Sequence, residues 1–116
     1  MKKILIVGSD LKDTQKLGNC IKSNFEVYSS YLEEGALGLC LAKNFDLIII
    51  NYSLKDARCI TLIKKVKEVQ PDIKIILISG CKIPDEGKIR RLGIDAFIGK
   101  PFKMNFLKEI IDLILG

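Results

Sequence analysis

Apolar residues along this chain follow two periods in turn. Continuous aliphatic runs occupy positions 4–7, 47–50, 73–78 and 96–98, and a more alternating run occupies 25–28. The continuous runs predict strands covered on both faces, and the alternating one predicts an edge strand. Between the runs, apolar residues recur three and four apart. Leu17, Cys20 and Ile21 form one such stripe; Ala36, Leu37, Cys40 and Leu41 a second; Ile60, Ile63, Val66 and Val69 a third. Ile89 with Leu92, and Phe106, Leu107, Ile110, Ile111 and Ile114, complete the set. Each stripe predicts a helix with one buried face. Ser30 followed by Glu33 predicts a capping box at the start of the second helix, and Pro71 predicts the end of the third. Gly35 and Gly38 weaken the second helix by up to ~1 kcal/mol each relative to alanine, and Gly87 interrupts the short fourth.

Strand and helix therefore alternate five times. That order predicts an α/β fold in which right-handed crossovers build a parallel sheet with helices on both faces. The 116 residues suit one domain, 1–116, with no linker, repeat or low-complexity segment inside it.

Composition narrows the class. A hydrophobic fraction of 48% with 28% charged residues describes a folded globular chain. The longest aliphatic run falls far short of the ~20 apolar residues of a membrane span, and the N-terminal run is too short for a signal-peptide core, so a cytoplasmic location is expected. Cys20, Cys40, Cys59 and Cys81 lie far apart with no histidine in the chain, which removes zinc-site spacing and predicts reduced, mostly buried thiols. The net charge of +5 fits an acidic partner or nucleic acid, and equally lysine on solvated helix faces.

In an open parallel sheet, chemistry gathers outside the carboxyl ends of the strands. Those ends here are Gly8-Ser9-Asp10, Asn51-Tyr52-Ser53, Ser79-Gly80 and Gly99-Lys100-Pro101-Phe102. With "KILIVGSD", "DLIIINYSL", "IILISG" and "GIDAFIGKPF" the whole chain resembles the receiver domains of two-component response regulators. The resemblance implies a flavodoxin-like (βα)5 fold, doubly wound, with five parallel strands in the order 2-1-3-4-5. It places Asn51 at the phosphoacceptor position and Gly8 and Ser9 at the pair of acidic residues that hold Mg²⁺. Asp10 is the one nearby carboxylate, a place beyond that pair. Ser79 matches the switch hydroxyl, Phe97 the aromatic switch position, and Lys100 with Pro101 the lysine-proline of the pocket. Lys55 stands where proline is common and Cys59 where glycine is common.

Function follows from what those positions can do. Magnesium takes near-octahedral oxygen ligands that usually include carboxylates, so weak or absent Mg²⁺ binding and no cofactor are expected. An asparagine amide is no nucleophile, and the hydroxyls of Ser9, Ser53 and Ser79 have no histidine to act as base. Lys100 is expected to donate to the Asn51 side-chain oxygen or to backbone carbonyls. The sequence has no dinucleotide fingerprint, no Cys-x5-Arg loop and no Ser-His pair, so no enzyme is expected.

The resemblance further implies signalling through the fourth helix, fifth strand and fifth helix, which here carry Lys82, Lys88, Arg90, Arg91, Lys103 and Phe106. A phosphorylation-independent interaction module is the leading expectation, its partners a histidine kinase or an output domain with an acidic docking surface. Direct nucleic-acid or membrane binding is not expected. The alternative is a regulatory domain that binds a small anion or nucleotide in the emptied pocket.

Overall fold

The computed structural model describes residues 1–52, 57–80 and 86–116. Ser53 and Lys55 of the third-strand loop, Cys81, and Lys82 of the expected interaction face lie outside the described residues. Ten elements alternate: β1 (Lys3–Gly8), α1 (Leu11–Ile21), β2 (Glu26–Ser30), α2 (Glu33–Ala42), β3 (Leu47–Asn51), α3 (Ala57–Val69), β4 (Lys74–Ser79), α4 (Glu86–Arg91), β5 (Ala96–Gly99) and α5 (Met104–Leu115). All neighbouring strands pair in parallel in the order β2-β1-β3-β4-β5. This is the five-stranded α/β sheet that the alternation and the resemblance together predict.

The continuous runs of β1, β3 and β4 have a direct cause in the two layers they separate. Successive side chains of a strand point to opposite faces. Ile4 and Ile6 pack with Leu17 and Ile21 of α1 and Leu107 and Ile111 of α5, whereas Leu5 and Val7 pack with Ala36 and Cys40 of α2 and Leu62, Ile63 and Val66 of α3. Both faces are covered, so between the opening lysines of β1 and β4 and the carboxyl edge every position in these strands is apolar. β2 lies at the sheet edge and buries only Ser30 fully, which accounts for its alternating sequence.

Two aspartates fasten strand beginnings to their neighbours. The Asp46 carboxylate accepts from Lys3 N at 2.8 Å while Asp46 N donates to Lys3 O at 2.9 Å. Asp95 repeats the arrangement ahead of β5, accepting from Ile75 N at 2.8 Å and donating to Ile75 O at 2.8 Å. Gln70, just past α3, accepts from Phe45 N and donates to Cys40 O and Lys43 O, tying the α2–β3 connection to α3.

Three sequence expectations are corrected. The second strand runs Glu26–Ser30 and not 25–28, because pairing with β1 carries on to Val7↔Ser30. The Ser30–Glu33 capping box does not form. Leu32 is the N-cap of α2 and makes no side-chain cap; Ser30, held in β2, donates from its hydroxyl to Leu32 O at 2.7 Å and accepts weakly from Leu32 N at 3.4 Å. Gly35 is then no simple weakness of α2, since a Cβ there would sit 2.6 Å from Ser30 Oγ. The short α4 is closed by Gly93 at φ +78°, with Ile94 N donating to Ile89 O and Gly93 N to Arg90 O, a Schellman ending.

Candidate functional site

The site lies where the strand order reverses. β1 and β3 are adjacent while the chain continues to β2 on one side and β4 on the other, so their carboxyl ends border a crevice. Gly8 and Asn51 are the last register partners of β1 and β3. Ser79 closes β4 opposite Gly99, and its carbonyl accepts from Lys100 N at 2.9 Å. The fold thus brings Gly8, Asn51, Ser79 and Lys100 to one edge, as the sequence predicts.

Two cavities of about 350 and about 480 Å³ share Asp13, Asn51 and Lys100 in their walls. The smaller is polar toward Ser9, Asp10 and Ser79; the larger is walled by Leu17, Phe102 and Met104, with Lys16 and Pro101 also lining it. The Lys100–Pro101 peptide bond is cis.

Asp10 is not an idle carboxylate beside the pocket. It is the N-cap of α1, and its side chain accepts from Asp13 N at 3.0 Å. The expected contact from Lys100 to Asn51 is also absent. Lys100 Nζ lies 3.5 Å from Asp13 Oδ2, and the buried Asn51 Oδ1 has no hydrogen-bond partner among the described residues. Asp13, in the first turn of α1, offers Lys100 a charged acceptor at the open mouth, whereas Asn51 is only 7% exposed and its side-chain oxygen is buried.

Sequence reasoning missed Asp13 and Thr14. Thr14 is wholly buried, its Oγ1 has no hydrogen-bond partner among the described residues, and a Cβ placed on Gly8 would lie 2.8 Å from that oxygen and 3.2 Å from Asn51 Cβ. Both residues left a signal. Asp13 sits three places after the N-cap, where first-turn acids favour a helix start, and Thr14 extends the Leu17–Ile21 stripe by one more step of three.

On the second surface, Lys88, Arg90, Arg91 and Lys103 are exposed and Phe106 is 47% exposed. Phe97 is half-buried and packs on the core layer beneath α2 and α3.

Residues 4–112 match the response regulator receiver domain family. The chain belongs to that family. No curated protein matches it. Among solved structures, a CheY-like receiver domain protein from Methanospirillum hungatei superposes with a TM-score of 0.89 at 25% identity over 99% of this chain and 94% of its own. A two-component response regulator from Clostridium difficile gives 0.85 at 27% identity, over 99% and 96%. The chemotaxis protein CheY4 of Vibrio cholerae, 19% identical, shares the fold at 0.88 over 99% of both chains. This receiver domain accordingly serves two-component signalling, where receivers act as signalling modules that interact with histidine kinases and output domains. Among the described residues, no helix is long and apolar enough to cross a membrane.

Proposed function

We propose that this receiver domain works without aspartyl phosphorylation and signals by docking through the surface of α4, β5 and α5. The observation that carries the reading is the closing pair of β1 and β3: Gly8 offers no side chain and Asn51 offers a neutral amide. An amide oxygen does not form an acyl phosphate, and the nearest carboxylates are engaged elsewhere. Asp10 caps α1 and Asp13 faces Lys100. The residues present do not fit Mg²⁺, a hard cation usually held through one or two carboxylates, and no group of three or more His, Cys, Asp or Glu able to hold a metal occurs among the described residues.

The test is intact-mass measurement after incubation with acetyl phosphate and Mg²⁺. No stable mass gain is expected; a phosphoryl adduct on the peptide carrying Asn51 defeats the reading. For the docking surface, an Arg90→Glu, Arg91→Glu variant is expected to lose capture of a histidine kinase or output domain that the unaltered chain retains, since a basic face orients and speeds docking to an acidic one.

A second reading places a small anion or nucleotide in the cleft. The larger cavity favours it, having Lys16 and Lys100 beside an apolar wall. Asp13 in the wall of that cavity, and Asp10 in the adjoining smaller one, oppose a negative ligand, which ranks this reading second. A thermal-shift screen with phosphate and nucleotides decides it, and no shift across the screen removes it.

A further inference from the structure

We infer that Thr14 is a plug: it fills the space that any side chain at position 8 needs, so this position of the acidic pair is closed by packing and not by lost charge alone. This rests on the reading of the pocket as one that does not seat Mg²⁺ and adds the physical cause that holds it in that state.

Gly8 does not owe its identity to backbone conformation. Its φ is not in the left-handed region, so L-residues suit its backbone. What excludes them is Thr14 Oγ1 at 2.8 Å from the Cβ position, closer than real carbon atoms approach, with Asn51 Cβ at 3.2 Å on another side. Thr14 cannot swing aside as a long flexible chain would. Its short β-branched side chain is limited to two χ1 rotamers in a helix. It is fully buried, and its amide is bonded to Asp10 O at 3.0 Å. Nor is its hydroxyl placed by a partner among the described residues, where Oγ1 makes no hydrogen bond. The side chain therefore acts here through its volume. Restoring carboxylates at positions 8 and 51 does not by itself rebuild a cation site, since the atoms of an aspartate at 8 and those of Thr14 claim the same space.

The test is a cycle of variants melted in EDTA, followed by a titration. Gly8→Ala is expected to lower the melting temperature by roughly 4 °C or more in the Thr14 background. Adding Thr14→Ala recovers most of that loss, whereas the volume-keeping Thr14→Val does not. Additive losses for Gly8→Ala and Thr14→Ala, or equal rescue by Val and Ala, overturn the inference. For the titration, Gly8→Asp, Asn51→Asp is compared with Gly8→Asp, Thr14→Ala, Asn51→Asp for Mg²⁺ affinity by calorimetry and for Mn²⁺-induced line broadening. At least ten-fold tighter binding is expected with Ala at 14, and equal affinity overturns the plug. The two readings fail separately: additive losses in the EDTA cycle would defeat the plug alone, whereas unaltered protein that took up Mg²⁺ and beryllofluoride together would defeat both the plug and the phosphorylation-independent reading.

Discussion

The Asp13 carboxylate lies 3.5 Å from the Lys100 ammonium and so links the first turn of α1 to the loop that follows β5. The side chains are 52% and 38% exposed, which places the pair in the class of screened surface contacts. Such pairs contribute roughly 0.2–1 kcal/mol, and salt removes most of that. Asp13→Ala is therefore expected to lower unfolding free energy by at most about 1 kcal/mol in low-salt urea titrations, and the difference is expected to shrink in about 1 M salt. A larger loss that persists in high salt would mean that Asp13 supports the loop by something other than this ion pair.

The two glycines of α2 separate an entropic effect from a steric one. A Cβ on Gly38 would meet no atom within 4 Å, whereas one on Gly35 would lie 2.6 Å from Ser30 Oγ. Gly38→Ala is expected to stabilise the domain by up to ~1 kcal/mol, the ordinary gain of alanine over glycine in a helix interior. Gly35→Ala gains nothing or loses stability, and Ser30→Ala in the same chain releases part of that penalty. Denaturant titration of the three variants checks the ordering. Equal stabilisation at both glycines would show that Ser30 yields its position freely.

The same residues explain where the sequence could be read and where it could not. β1, β3 and β4 were legible because every side chain between the amino and carboxyl edges is buried on one face or the other, leaving an uninterrupted aliphatic signature. The site edge was legible for the same reason, since Gly8, Asn51 and Ser79 are where those signatures stop. The Ser30 cap was misread because capping spacing is a local signal, while Ser30 is held by pairing with Val7 across the sheet. Asp13 and Thr14 escaped because their roles depend on partners outside their own helix, Lys100 for one and the Gly8 Cα for the other. A polar side chain on a helix reads as solvent-facing until a strand end is known to lie against it.

The aspartate clamps predict an asymmetry between charge and shape. Asp95 both accepts from and donates to the backbone of Ile75, at 2.8 Å each way, at a sheet edge that β5 alone supplies. Asp95→Ala leaves the Ile75 amide without its acceptor and is expected to lower stability by about 1.5–3 kcal/mol, the range for hydrogen bonds to charged groups. Asp95→Asn keeps an acceptor oxygen and is expected to lose less. Hydrogen exchange at the Ile75 amide reports the clamp directly: protection should fall in the alanine variant and be largely kept in the asparagine variant. Unchanged protection in Asp95→Ala would show that β4 needs no such partner.

The cysteines give a final prediction because their burial differs within one fold. Cys40 is 3% exposed and Cys59 is fully buried, while Cys20 is partly exposed on α1. Burial pushes the Cys40 thiol above its ordinary value of 9.0, since an apolar surrounding disfavours the thiolate. The thiolate is the reactive form. Native protein treated with iodoacetamide near neutral pH is therefore expected to alkylate at Cys20 faster than at Cys40, with peptide mapping as the readout. The sign of the linked stability follows from the same shift. The unfolded chain loses the Cys40 proton at lower pH than the folded one does, so this group's contribution is complete below its ordinary value and is lost as pH rises through the folded one. Cys40→Ala removes that dependence along with some packing, so its melting temperature should fall less steeply than that of the unaltered chain between neutral pH and pH ~10. A parallel decline in the two proteins would place the alkaline sensitivity elsewhere in the molecule.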